Sequence, residues 1–324
     1  MKAAVVGLGS MGRRRMRLAR AIDPAIELIG IDSNTARAAE VAQEFEIATV
    51  SSLEEAFLKS PDCVLICTSP LSHASLLQEV LGQGIPAFTE LNLVSTNYDQ
   101  FILKAEEKKL FLSSTFLYRK DVRYIIEACQ GKKLHYVYHS GQYLPDWHPW
   151  ENFKDFFVGD KRTNGCREIF AIELPWLIAC FGPVTSLEVR RDTLSNLNLD
   201  YPDAYQLIVE HESGSRGVFS VDVVSRIPSR RFETYGGDMH LRWEGAPDTL
   251  VCFNLESREI EPISLYENVN QDGRYAPNII EDAYEDELRA FFAWVSHDDR
   301  RGVRYGFSQD AYTLALIDKI EGEL

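Results

Sequence analysis

The sequence has no CxxC pair, no basic excess, no long uninterrupted apolar run, no internal repeat and no low-complexity segment. Six scattered cysteines without CxxC spacing argue against a structural zinc site and against a disulfide-dense scaffold. No metal is expected, and a reducing, cytoplasmic setting fits best. Cys63 and Cys67 share one short apolar run at even spacing, where both read as small core residues. The 34 Lys and Arg against 49 Asp and Glu leave a net charge of −15, which repels polyanions and anionic lipid. Nucleic acid is therefore not an expected partner. Every apolar run is interrupted by a charge well before the roughly 18 residues that a membrane span needs. The opening residues, Met1 to Gly7, show none of the three regions of a secretory signal. Neither membrane insertion nor export is expected.

What is there is the composition of a globular chain: 324 residues, 45% hydrophobic and 26% charged, enough for two domains of ordinary size. The first third alternates short apolar strands, at 3–6, 27–31, 63–68, 87–89 and 110–114, with helices at 11–22, 35–45, 72–81 and 96–108. That rhythm demands a parallel sheet covered on both faces by right-handed crossovers. It predicts a doubly wound α/β domain over residues 1–118.

From 119 to 324 the rhythm changes. A helix at 121–129 precedes a strand at 134–143 and an aromatic loop containing Tyr143, Trp147, His148 and Trp150. A second helix at 167–181 is stopped by Gly182 and Pro183. Strands at 186–191, 205–212, 216–224, 232–235 and 239–243 follow, punctuated by Gly and Pro, and helices at 280–295 and 308–320 close the chain. This predicts an α+β domain with a mostly antiparallel open sheet. Its uncovered face predicts a homo-oligomer, dimer or tetramer, because exposed apolar sheet faces are commonly covered by a symmetry mate.

Gly7-Leu8-Gly9-Ser10-Met11-Gly12 is a GxGxxG pattern in an informative place. It follows an apolar strand, opens a helix, and precedes by about twenty residues an acid at the end of the next strand, Asp32. Gly7 permits the turn, Gly9 admits a pyrophosphate against the backbone, and Gly12 lets helix and strand pack closely. Such a Rossmann-type cradle binds a dinucleotide. Asp32 would accept from the adenosine ribose hydroxyls and repel a 2′-phosphate, so NAD is the expected cofactor. Arg37 and the run Arg13-Arg14-Arg15 keep NADP open, although at least two of those three arginines are expected to lie solvated on the helix surface.

With the cradle placed, the chain resembles the Gfo/Idh/MocA oxidoreductases, named for glucose-fructose oxidoreductase and inositol 2-dehydrogenase. The resemblance is carried by the GxGxxG run, Thr68-Ser69-Pro70-Leu71-Ser72-His73, the stretch from Leu81 to Glu90, Arg119, and the closing pattern Tyr284, Glu287, Leu288, Phe291, Phe292. It implies that Thr68, Ser69, Pro70 and His73 line the nicotinamide half of the cofactor, with Glu90 near the nicotinamide ribose. With Gly7, Gly9, Ser10, Met11, Gly12, Asp32, Ser33 and Arg37, these make up the expected cofactor contacts. Independently, Thr68 to Pro70 follow a buried strand at the carboxyl edge of the sheet, where doubly wound folds bind ligands, and Ser72 is placed to cap the next helix.

The pattern breaks in two places. Where the family carries Glu-Lys-Pro, this chain has Glu90-Leu91-Asn92, and leucine moves no proton. The family's Asp-x-Gly-x-His-x-x-Asp aligns with Glu168, Phe170, Ile172 and Pro175, so its histidine is also gone. General acid–base assistance contributes about 10² to 10⁴ in rate. Losing both groups leaves either a rebuilt site or a cofactor-bound sensor or regulatory partner protein without turnover. For a rebuilt site the catalytic candidates are Glu168 and then His148; each also has a plainer reading, as a helix-start charge or a loop stiffener. Substrate contacts are expected from Arg119, Arg167, Tyr143, Trp147 and Trp150, with Arg119 alternatively paired to Asp121 or Glu90. Arg226, Arg230 and Arg231 read as surface or subunit-contact charges. The leading expectation is an NAD-dependent enzyme acting on the CH–OH group of a small polyhydroxylated substrate: a sugar, sugar acid or nucleotide sugar.

Overall fold

A computed structural model describes residues 1–149, 151–270 and 279–322. The chain divides into two compact units, Met1–Tyr118 with Ala283–Tyr312, and Arg119–Asp282 with Thr313–Leu324.

The first unit is built on a six-stranded sheet whose strands are β1 (Lys2–Val6), β2 (Glu27–Ile31), β3 (Ala48–Val50), β4 (Cys63–Ile66), β5 (Ala87–Thr89) and β6 (Leu110–Leu112). They lie in the order β3-β2-β1-β4-β5-β6, and every pairing is parallel. The order reverses direction beside β1, between β1 and β4. The connections that leave the carboxyl ends of β1 and β4 run to opposite faces of the sheet, the arrangement beside which such sheets bind ligands. Helices α1 (Ser10–Ile22), α2 (Thr35–Phe45), α3 (Leu53–Phe57), α4 (Pro70–Gln83) and α5 (Tyr98–Lys104) make the crossovers. β4, β5 and β6 are buried along their whole length, as a sheet covered on both faces requires. Phe88 and Phe111 stack at 5.2 Å and both meet Phe291 edge-on at 5.7 Å, which seats the returning segment on the sheet.

Local chemistry sets the helix ends. Asn34 and Ser52 cap α2 and α3 by accepting from the N–H three residues on. Gly84 ends α4 in the left-handed region, where a side chain is disfavoured. Ser72 is not a cap. The helix already begins at Pro70, and Ser72 Oγ donates to Thr68 Oγ1 at 2.7 Å. β3 and α3 were not expected from the sequence, because β3 is three residues long and only half-buried at the sheet edge.

The second unit carries an eight-stranded sheet. Its strands are β7 (His135–Gly141), β8 (Val184–Asp192), β9 (Ala204–His211), β10 (Arg216–Asp222), β11 (Ser229–Gly236), β12 (Met239–Trp243), β13 (Val251–Phe253) and β14 (Ile260–Pro262). The order is β14-β13-β12-β11-β7-β10-β9-β8, antiparallel except for β7 with β10. Helix α7 (Gly165–Phe181) packs on one face: Trp176 meets Phe232 at 5.0 Å and Phe170 meets Phe219 at 5.7 Å. Strand alternation sends Tyr136 and Tyr138 into that core and leaves Val137 on the other face. A shorter helix, α6 (Lys120–Cys129), opens the unit, and α8 (Glu281–His297) and α9 (Phe307–Glu321) end the chain. The pair β13–β14 also escaped the sequence reading, since its two strands are three residues each and contain no fully buried residue.

Candidate functional site

The turn after β1 is fixed by close backbone approaches. Gly7 has φ +87°, and a Cβ there would meet the Cys67 carbonyl oxygen at 2.9 Å. A Cβ on Gly12 would meet the Gly7 carbonyl oxygen at 2.0 Å, so no other residue lets α1 start this close to the strand. Gly9 differs. A Cβ there would meet nothing within 4 Å, so in the protein alone its lack of a side chain serves no internal contact. Gly9 supplies no cap to α1, and the first turn of the helix, containing Ser10 and Met11, has no acid. An anion is suited to such an end.

Asp32 closes the cradle. Its Oδ2 accepts from Leu8 N at 2.9 Å and from Arg37 Nη1 at 3.2 Å, and its Oδ1 accepts from Asn34 N at 2.8 Å. The carboxylate thus ties the glycine turn to the end of β2, beside Ser33. Arg37 is half-exposed and turned onto Asp32. These residues fit a dinucleotide: open space over Gly9, an uncapped helix start, and a carboxylate at the next strand end.

The arginine run departs from expectation. Arg13 pairs with Glu40 and Glu44, whereas Arg14 and Arg15 are both buried. Arg14 lies over the ring of Tyr284. Arg15, fully buried, donates to Glu90 at 2.6 Å and to Glu287 at 2.7 Å. Glu287 also accepts from Ser113 Oγ, Ser114 N and Thr115 Oγ1. Burial pushes its carboxyl up and the Arg15 guanidinium opposes that shift. The helical period explains the error, because successive residues of one helix need not share a face. Arg15 and Glu287 hold Glu90 in place; the arginine run and the Glu287 pattern were visible in the sequence, but their pairing was not.

Thr68 and Ser69 follow β4, with Pro70 at the first position of α4. His73 is buried. Its Nδ1 lies 2.6 Å from Asn92 Oδ1 and its Nε2 lies 3.0 Å from the Thr68 carbonyl, and burial lowers its proton affinity against the pull of both bonds.

In the second unit, Glu168 stands in the first turn of α7, whose start is capped by Asn164. Its Oε2 is buried with no hydrogen-bond partner, and burial alone pushes the carboxyl up to about 8. His148 Nδ1 bonds Glu151 Oε1 at 2.5 Å, and its ring lies against Phe156. The guanidinium of Arg226 lies 3.4 Å from the centre of the Tyr143 ring, and Trp147 Nε1 donates to Gln142 O at 3.2 Å. Trp150 lies outside the described residues.

The two arginines expected at substrate are engaged by the protein itself. Arg119 is buried, donates to both oxygens of Asp121 and to Gly245 O, and stacks on Trp243. Arg167 pairs with Asp318 at 2.6 Å and with Glu321. Arg230 is likewise not a surface charge: its Nε donates at 2.9 Å to Glu173, a fully buried carboxylate that also accepts from Tyr138 and Trp176. Among the described residues no group of three or more His, Cys, Asp or Glu is arranged to hold a metal ion, and no helix is long and apolar enough to cross a membrane.

Residues 1–112 match the Gfo/Idh/MocA family, an oxidoreductase family with an NAD-binding Rossmann fold. No curated protein matches the chain significantly. Among solved structures, the chain is similar to the UDP-N-acetylglucosamine 3-dehydrogenase GnnA from Acidithiobacillus ferrooxidans, with 18% identity, coverage of 100% of this chain and 97% of that one, and a TM-score of 0.78. It is similar to a levoglucosan dehydrogenase in complex with NADH, with 16% identity, 100% and 96% coverage, and a TM-score of 0.79. It is also similar to an oxidoreductase from Agrobacterium radiobacter in complex with NAD+, L-tartaric acid and magnesium, with 13% identity, 99% and 96% coverage, and a TM-score of 0.78.

Proposed function

From a first unit that is, over residues 1–112, an NAD-binding Rossmann domain of the Gfo/Idh/MocA oxidoreductase type, we propose that the protein is an NAD-dependent dehydrogenase acting on the CH–OH group of a small polyhydroxylated molecule. The observation that carries this reading is the cradle: three glycines in two distinct roles, with Asp32 tied by its carboxylate to the turn. Bound nicotinamide supplies a hydride acceptor. The chain must supply a group for the substrate's hydroxyl proton. Glu168 suits that task best, because a carboxyl held near 8 by burial exchanges protons close to neutral pH. His148, coupled to Glu151, is second. The sugar-like substrate class draws support from the dehydrogenases of similar fold and from the aromatic loop around Tyr143 and Trp147.

NADH titration is expected to show tighter binding than NADPH, because Asp32 repels a 2′-phosphate; equal affinities would remove the role given to Asp32. On a panel of sugars and sugar acids, Glu168→Gln is expected to lower turnover by about 10² or more. Full turnover in both Glu168→Gln and His148→Ala would overturn the assignment. Leu91 in place of the family's lysine favours a second reading, a cofactor-bound sensor. NADH binding with no hydride exchange on any substrate of the panel, together with a protein partner recruited only with NAD, would select it.

The reading includes a homo-oligomer formed through the open face of the second sheet. Ile208, Val218 and Val137 are neighbours across β9, β10 and β7 on that face, and all three are exposed by about half. Sedimentation is expected to show a dimer or tetramer that Val218→Lys dissociates; a wild-type monomer would refute it.

A further inference from the structure

A buried chain of side chains runs through the first unit from the Thr68 carbonyl to the Asp310 carboxyl, and its hydrogens can be counted. The Thr68 carbonyl oxygen is 3.0 Å from His73 Nε2. His73 Nδ1 is 2.6 Å from the carboxamide of Asn92. The other end of that carboxamide is 2.9 Å from Tyr98 OH, and Tyr98 OH bonds Asp310 Oδ2. His73, Asn92, Tyr98 and Asp310 are all buried.

The chain has four links. A neutral imidazole, a carboxamide and a phenol each place one hydrogen along it, three in all, whichever way the carboxamide is turned. A carbonyl oxygen at one end and a carboxylate at the other only accept. Four links between two acceptors need four hydrogens, so neutral His73 with ionised Asp310 leaves one buried link without a hydrogen, with two lone pairs facing each other.

We propose that His73 and Asp310 hold one shared proton at neutral pH, as imidazolium and carboxylate or as imidazole and carboxylic acid, and that this proton keeps the Thr68 loop docked on His73. Both residues are then positioning residues. The proton count stands on the hydrogen-bond chain alone. Its consequence for NAD binding rests on the reading of Thr68 to Pro70 as a cofactor loop. Glu90, held by Arg15, acts on His73. Tyr305 donates to the second oxygen of Asp310 at 3.0 Å. Glu90 favours extra positive charge at His73, and the Tyr305 hydroxyl is accommodated by either form of Asp310.

Asp310→Asn tests the count, because the introduced amide supplies the missing hydrogen: it donates to Tyr98, Tyr98 to Asn92, Asn92 to a neutral His73, and His73 to Thr68. At pH 7.5, ring-nitrogen NMR of His73 and infrared spectra of the protonated-carboxyl region, each taken as wild type minus D310N, are expected to show an imidazolium or a carboxylic acid that the variant lacks. Tyr98→Phe cuts the chain, releases the same proton, and serves if D310N does not fold. Neutral His73 in wild type with no carboxylic-acid signal lost in either variant would overturn the proposal. For the cofactor, NADH affinity of the wild type is expected to fall about fivefold or more between pH 7 and pH 9, and to stay flat in D310N. The same slope in both proteins would overturn the positioning role. Absence of NADH binding at every pH would instead overturn the functional reading, while the spectra would still decide the proton count.

Discussion

The cradle of the first unit and the acid of the second are specified by different means. The cradle is a property of backbone: two glycines stand where atoms of the neighbouring main chain leave no room for a Cβ, and a third stands over open space. Glu168 is a property of surroundings, an ordinary residue whose buried oxygen lacks a partner. Backbone constraints leave a mark in the sequence because few residues satisfy them. A perturbed carboxyl leaves none, because any glutamate has the same letter whatever surrounds it.

The sharpest way to break the contrast is at Gly12. Gly12→Ala places a Cβ 2.0 Å from the Gly7 carbonyl oxygen, a backbone atom that cannot swing aside. Overpacking of this kind costs about 3 kcal/mol, which lowers Tm by roughly 4–5 °C for a chain of this size. NADH affinity is expected to fall about 100-fold as the turn is displaced. Near wild-type Tm and affinity would show that the glycine is not what positions the helix.

Gly9→Ala sharpens the same comparison with a smaller effect. No atom of the protein opposes a Cβ there, and Gly9 has φ −73° and an extended backbone open to alanine. Thermal stability is expected to stay within about 1 kcal/mol of wild type. NADH affinity is expected to drop roughly tenfold, because the added methyl meets the ligand where it should approach the main chain. Calorimetry beside thermal melts separates the two quantities. Unchanged affinity would mean that no pyrophosphate lies against Gly9.

What was legible follows the same division. β1, β2, β5 and α2 were readable to within a residue, because apolar runs and helical spacing report burial directly. β3, β13 and β14 were not, being three residues long and only partly buried, so that neighbours and not their own pattern hold them in a sheet. The partition of charge was the least legible. Arg119 pairs with Asp121, two residues on and one of the two partners its sequence offered. By contrast, Arg14, Arg15, Arg167 and Arg230 all read as candidates for solvent or ligand, yet each is buried or bound within the protein. Their partners Glu287, Asp318 and Glu173 are far away in sequence or hidden on another element, and pairing across such distances has no local signature. Residues 283–312 return to the first unit for a related reason: Phe291 and Glu287 find their partners at Phe111 and Arg15.

The mildest prediction concerns the acid itself and needs no substrate. Folding holds the Glu168 carboxyl at about 8, above its ordinary value near 4.5. Between those pH values the folded protein keeps a proton there that the unfolded chain gives up, so its contribution to stability falls as pH rises through the window. Glutamine cannot lose that proton. Glu168→Gln is therefore expected to match wild type near pH 4.5 and to be the more stable protein at pH 8. The residue as a whole is half-buried, so solvent screening holds the gain to about 1–2 kcal/mol. Melts of both proteins across the window measure it. If the difference does not change with pH, Glu168 is ionised in the folded protein like any surface glutamate and loses the property that marks it as a proton carrier.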